Sequence, residues 1–75
     1  MKLGPLPAEK IIKVLVRFGF LPIRQKGSHV ILQHADGRLT IVPYHPRAEV
    51  GRGLLRRIIK EAELDREEFL KMLEE

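Results

Sequence analysis

The sequence predicts a small α+β domain in which helices cover one face of a three-stranded antiparallel sheet. Three observations predict it: a helical period of apolar residues over 7–18, three short alternating segments joined by glycine-containing turns, and a second helical period over 51–62. The order is α-β-β-β-α, which is a two-layer sandwich with a short extra C-terminal helix. With 75 residues, we expect a single domain over 1–75.

The first helix is predicted over 7–18, because its apolar residues recur at the spacing of one helical face. Pro7 suits the first turn, where its missing N–H leaves no helical hydrogen bond unmade. Gly19 is expected to end the helix as a residue in the left-handed conformation.

Three strands are predicted over 20–26, 29–34 and 38–43. Gly27-Ser28 and Asp36-Gly37 are interpreted as two-residue turns, of type II′ and type I′. Pro22 cannot donate to a sheet ladder, so the strand that contains it should be an edge.

Two-residue turns fix the register, with Ile23 opposite Leu32 and Leu32 opposite Ile41. The residues then expected to face the core are Val30, Leu32, Leu39 and Ile41. The opposite, open face would hold Arg24, Lys26, His29, Ile31, Gln33, Arg38 and Thr40.

The second helix is predicted over 51–62, with Leu55, Ile58, Ile59 and Ala62 facing inward. A last helix over 65–73 should begin at Asp65, with Glu68 three residues later in a capping-box pattern. The layout resembles that of the double-stranded-RNA-binding domain, an analogy of fold that does not establish function.

Positive charge dominates most of the chain. Residues 1–60 carry a balance of +9, whereas residues 61–75 carry −5. A basic body favours a polyanionic partner, most simply nucleic acid, although a solvated charged surface is the alternative. Without cysteine there is no disulfide framework. No apolar run reaches the ~18 residues of a membrane span, and residues 1–6 lack the apolar core of a secretory signal, so a cytoplasmic protein is expected.

Three histidines are the candidates for proton transfer. His29 follows the Gly27-Ser28 turn, with Lys26 and Tyr44 as expected cross-strand neighbours. There it could act as a general base, or be an exposed histidine without a role. His45 is a weaker candidate for the acid partner, and His34 is interpreted as structural. The spacing of 29, 34 and 45 matches no usual ligand pattern, so no metal ion and no cofactor are expected.

Basic side chains are the candidates for RNA binding, because Arg and Lys neutralise phosphates without reading sequence. Ser28 is added as a group that could orient phosphate or imidazole. The candidates are Arg24, Lys26, Ser28, Arg38, Arg56 and Lys60.

Several segments resemble the HicA-type toxins: Gly19-Phe20, the run 24–32 centred on Gly27-Ser28-His29, Asp36-Gly37-Arg38, and Val42-Pro43-Tyr44-His45. Similarity continues in Gly53, in 55–58 and in 67–69, so it covers nearly the whole chain. The resemblance implies the double-stranded-RNA-binding fold, mRNA interferase activity and neutralisation by a HicB-type antitoxin. It also implies that the catalytic histidine is the one in Gly-Ser-His, here His29.

The favoured function is therefore a metal-independent endoribonuclease toxin, in which His29 is the general base and Arg24 and Lys26 lie near the scissile phosphate. The alternatives are a non-catalytic RNA-binding module and a protein-interaction domain whose basic surface meets only an acidic antitoxin. The antitoxin is expected to cover the surface around His29, Lys26 and Tyr44, together with the basic stripe of Arg52, Arg56 and Lys60 on the second helix. This surface is expected to be basic with little apolar area.

Overall fold

The computed structural model describes residues 4–44 and 49–74. In chain order the elements are β1 (Leu6–Pro7), α1 (Ala8–Arg17), β2 (Phe20–Lys26), β3 (His29–His34), β4 (Leu39–Pro43), β5 (Glu49–Val50), α2 (Arg52–Glu61) and α3 (Arg66–Glu74). The antiparallel sheet has the order β2-β3-β4, and β1 pairs with β5 in a separate ribbon. The predicted α+β sandwich is confirmed. The small ribbon was not predicted, because two-residue strands have no readable period.

The first helix ends as predicted, at a glycine in the left-handed region. Gly19 has φ +101°, and the backbone N–H of Gly19 donates to the carbonyl of Val16 at 3.0 Å. A Cβ on Gly19 would lie 2.8 Å from Nε2 of His34, so the ring of His34 also requires a glycine here. The turn and the close approach together specify this residue.

The first hairpin has the predicted two-residue turn. Lys26 pairs with His29, and Gly27 has φ +60°. Farther along, the register shifts between Pro22 and Arg24, so that Pro22 rather than Ile23 lies opposite Leu32. The predicted pairing of Ile23 is therefore wrong, because a bulge on the edge strand leaves one extra residue out of the ladder.

The second hairpin is closed by His34 and Arg38, so its loop has three residues, 35–37, and not two. The backbone N–H of His34 donates to the carbonyl of Arg38 at 2.9 Å, and Gly37 has φ +100°. Its left-handed glycine and length are those of a three-residue hairpin loop. A one-residue change of register turns every side chain of the following strand to the other face.

That register corrects the predicted faces of β4. Leu32 lies opposite Thr40 instead of Ile41. Leu39 and Ile41 are 47% and 43% exposed, while Thr40 is 1% exposed and Val42 is fully buried. The prediction that Leu39 and Ile41 face the core, with Thr40 on the open face, is wrong.

The core lies between the helices and one face of the sheet. Every residue predicted to face inward from the second helix is buried, as is Phe69 of α3. Asp65 caps α3 by accepting a hydrogen bond from the N–H of Glu67 at 2.9 Å. The buried core consists of Ala8, Ile11, Val14, Leu15, Phe20, Val30, Leu32, Val42, Val50, Leu55, Ile58, Ile59, Ala62 and Phe69.

Candidate functional site

His29 is an exposed side chain held on a well-defined backbone. It begins β3 directly after the turn and pairs with Lys26 on one side. On the other side it pairs with Pro43, where Tyr44 was expected. Tyr44 lies one residue farther along, and its backbone N–H donates to the carbonyl of Ser28. Hydrogen bonds on both sides of the turn therefore fix the position of His29 while its imidazole stays open to solvent.

His29 lines a shallow depression of about 230 Å³ between the sheet and α2. Ile41 and Pro43 of β4 line it beside the histidine, and Leu54, Arg57 and Glu61 line it from α2. Sequence reasoning missed Arg57 and Glu61. Their spacing of four residues predicts an ion pair on one helical face. It does not predict that this face meets His29, which depends on how α2 packs against β4.

Glu61 is held in place by two partners. Nε of Arg57 donates to Oε2 of Glu61 at 3.3 Å, and Oγ1 of Thr40 donates to Oε1 at 3.3 Å. Because Thr40 is almost fully buried in β4, one end of this network is anchored in the core. The other end, Arg57, is largely exposed beside His29.

Four of the six predicted RNA-binding residues occupy two separate surfaces. Arg24 and Lys26 are exposed on β2, with Arg24 opposite Ile31 and Lys26 opposite His29 on the open face. Arg56 and Lys60 are exposed on α2, where they line a different depression, of about 310 Å³. The structure thus brings Lys26 to His29 and leaves the pair on α2 outside the depression that holds the histidine.

Arg38 lies away from the open face where it was predicted, because the three-residue loop turns it toward α2. Nη1 of Arg38 donates to the carbonyl of Ala62, and Nε contacts Oδ2 of Asp36 at 2.8 Å. The guanidinium also sits 5.2 Å from the ring centroid of Phe20. A further hydrogen bond, from the backbone N–H of Arg38, holds the pKa of the Asp36 carboxyl below its usual range. These contacts give Arg38 a structural role, joining the loop to the end of α2.

The other two histidines differ from His29. His34 is partly buried against Phe20, with ring centroids 5.2 Å apart and an interplanar angle of 72°. Its Nδ1 accepts a hydrogen bond from the backbone N–H of Asp36 at 3.1 Å. These contacts agree with the structural interpretation of His34. His45 lies outside the described residues, so its predicted part in the chemistry stays a prediction.

Apolar side chains are exposed on the open face of the sheet that carries His29. Leu21 and Ile23 of β2 are 64% and 55% exposed, and Leu39 and Ile41 are exposed on β4. The expectation of little apolar area on this surface is therefore wrong. A group of exposed apolar residues on a small protein is typical of an interaction surface.

Within residues 4–44 and 49–74, no helix is long and apolar enough to cross a membrane. The same residues contain no group of three or more His, Cys, Asp or Glu side chains placed to hold a metal ion.

Comparison with known proteins identifies the family. A search of curated proteins finds no match. The family model described as the HicA toxin of bacterial toxin–antitoxin systems matches residues 8–64. That match includes α1, the whole three-stranded sheet and α2, and hence His29 and the depression beside it. The chain therefore belongs to the HicA toxin family, whose members are the toxins of bacterial toxin–antitoxin systems and have a cognate antitoxin as partner.

Proposed function

We propose that this toxin is an endoribonuclease that cuts mRNA without a metal ion, with His29 as the general base. The imidazole would take the proton of a ribose 2′-OH, the 2′-oxygen would attack the adjacent phosphorus, and the bond to the 5′-oxygen would break. The observation that carries the proposal is the placement of His29, exposed at a paired position of the hairpin and in one depression with Arg57. A general base must reach its proton in a fixed geometry.

Positive charge around His29 supports a phosphate-bearing substrate. Lys26 is the direct cross-strand neighbour of His29, and Arg24 lies on the same face of β2. Both would contact phosphates near the scissile bond, with Ser28 in the turn orienting the phosphate or the imidazole. Such cations stabilise the charge that develops in the transition state. Arg56 and Lys60 would contact the RNA backbone farther from the cut.

The 5′-oxygen is the leaving group and requires a proton, for which His45 is the proposed donor. It follows Tyr44, whose backbone is tied to Ser28 at the turn that holds His29.

The proposed partner is a HicB-type antitoxin that covers the depression and the open face of the sheet. The exposed apolar residues Leu21, Leu39 and Ile41 would be buried in that complex. Lys26 and Arg24 would meet carboxylates that mimic phosphates and speed association by electrostatic steering. Toxin, antitoxin and mRNA would meet in the cytoplasm.

The proposal is tested with a labelled single-stranded RNA and its 2′-O-methyl analogue, both in EDTA. We expect the toxin to cleave the RNA and leave the analogue intact, because the analogue has no 2′-OH to attack. Binding of both oligonucleotides without cleavage of either would favour the alternative, a non-catalytic RNA-binding module. Cleavage that is lost in EDTA and restored by Mg²⁺ would contradict the metal-free mechanism.

A further inference from the structure

Arg57 has the exposure and geometry of a ligand-binding arginine. Its side chain is 72% exposed, and it lines the depression that contains His29. Only Nε is engaged within the described part of the chain, through the contact with Glu61. The terminal nitrogens Nη1 and Nη2 are therefore available for a paired contact with two oxygens of one phosphate, which is the geometry that arginine favours.

The ion pair of Arg57 with Glu61 differs from an ordinary surface ion pair because Glu61 has a second partner in the core of the sheet. An exposed pair four residues apart on a helix contributes little to stability, because solvent screens its charges and pairing costs side-chain entropy. Here the second carboxylate oxygen accepts a hydrogen bond from Thr40, a hydroxyl in the core of the sheet. The hydrogen bond from Thr40 thus holds the carboxylate of Glu61 in place. Because that carboxylate accepts from Nε of Arg57, it restricts the directions in which the Arg57 guanidinium can point.

We propose that Arg57 binds the phosphate at the cleavage site and that Glu61, anchored by Thr40, is the positioning residue that aims it. The inference rests on the proposed function and adds to it the cation on the α2 side of His29. Lys26 is the neighbour of His29 on β2, and Arg57 lines the depression from α2, so a phosphate bound at His29 would have a cation on each side.

The first test measures phosphate binding without cleavage. Affinity for a 2′-O-methyl RNA is measured by fluorescence anisotropy over a range of salt concentrations. A lost phosphate contact reduces the slope of log affinity against log salt by about 0.7 for a single strand. We expect that reduction in Arg57→Ala and not in Lys71→Ala, a control change at an exposed cation of α3 that lies beside Glu67 and Glu74. An unchanged slope in Arg57→Ala would overturn the proposal.

The second test measures cleavage. Arg57→Ala should lower kcat by about 10²-fold, with a smaller change in KM, because charge on the phosphate grows in the transition state. Arg57→Lys should recover part of the loss, since it keeps the charge and not the paired geometry. Melting temperature shows whether each variant is folded. A folded Arg57→Ala variant with the kcat of wild type would contradict the proposal.

The role of Glu61 is tested by a double-mutant cycle. Glu61→Gln and Thr40→Val should each lower kcat, whereas Glu67→Gln, an exposed glutamate on α3, should not. If Glu61 acts through Arg57, Glu61→Gln should cost nothing further in the Arg57→Ala background. Additive losses would show that Glu61 does not position Arg57.

The binding and cleavage readouts separate this inference from the proposed function. If wild type binds RNA and does not cleave it, the endoribonuclease proposal fails, and the salt slope of Arg57→Ala still decides whether Arg57 binds phosphate. If wild type cleaves RNA and Arg57→Ala matches it in both readouts, only the present inference fails.

Discussion

Replacing Arg38 by alanine should destabilise the fold rather than remove an RNA contact. The hydrogen bond from the guanidinium to the carbonyl of Ala62 is partly buried. A bond of this kind from a charged donor contributes about 1.5–3 kcal/mol. The position of the guanidinium over the ring of Phe20 adds about 0.5–1 kcal/mol. We therefore expect Arg38→Ala to lower the free energy of unfolding by about 2–4 kcal/mol.

For a domain of this size, each kcal/mol corresponds to about 4–8 °C in melting temperature. The melting temperature of Arg38→Ala should fall by roughly 8–30 °C. Thermal unfolding followed by circular dichroism measures the shift, and Arg24→Ala serves as the matched control, because Arg24 is exposed on the edge strand. Arg24→Ala should melt like wild type and bind RNA more weakly. If Arg38→Ala melts like wild type and loses RNA affinity instead, the structural role of Arg38 is refuted.

Three further predictions follow from single residues. Glu63→Gly should raise the free energy of unfolding by about 0.5–1 kcal/mol in urea titrations. The reason is that Glu63 has φ +55° just after α2, a conformation in which glycine has no steric cost. A destabilised variant would contradict this prediction. The carboxyl of Asp36 has a lowered pKa in the folded state, so its stabilising effect is complete above about pH 5 and is lost as pH falls through that pKa. The difference in melting temperature between wild type and Asp36→Ala should therefore shrink in acid, and a constant difference would refute the linkage. In surface plasmon resonance, Arg24→Glu or Lys26→Glu should slow association with a HicB-type antitoxin, while Glu74→Lys should not. If only Glu74→Lys slowed association, the antitoxin would bind the surface of α3 rather than the open face of the sheet.

Local patterns in the sequence were sufficient for the helices and for the first hairpin. The apolar period places each of the three helices within about one residue of its observed bounds, since one helical face must be buried. Gly27-Ser28 between alternating segments specified a two-residue turn and, with it, the place of His29 beside Lys26. The position of His29, the proposed general base, could thus be predicted from the sequence.

The second loop could not be resolved from the sequence. Asp36-Gly37 fits both a two-residue turn and the last two residues of a three-residue loop with a left-handed glycine. The following residues, Leu39 to Val42, offer apolar side chains to both faces, so their pattern does not choose between the registers. The observed loop adds Ala35, exchanges the faces of β4 and moves Arg38 from the open face to the end of α2.

Arg57 and Glu61 were missed for a different reason. Their place beside His29 arises from contact between α2 and β4, which are separate in the chain and joined through the buried hydroxyl of Thr40. Periodicity identifies the inward face of a helix and does not say which strand the other faces approach. Residues that are brought together only by the packing of distant elements cannot be identified as neighbours without the structure.

The role of His29 as general base is tested most directly by the cleavage rate of His29→Ala compared with wild type on the same single-stranded RNA. Because His29 is exposed and makes no side-chain hydrogen bond within the described residues, the variant should keep the melting temperature of wild type. Loss of a general base typically lowers the rate by about 10²–10⁴-fold. We expect a loss in that range with a folded protein and nearly unchanged affinity for 2′-O-methyl RNA. A folded His29→Ala variant that cleaves RNA at the wild-type rate would contradict it.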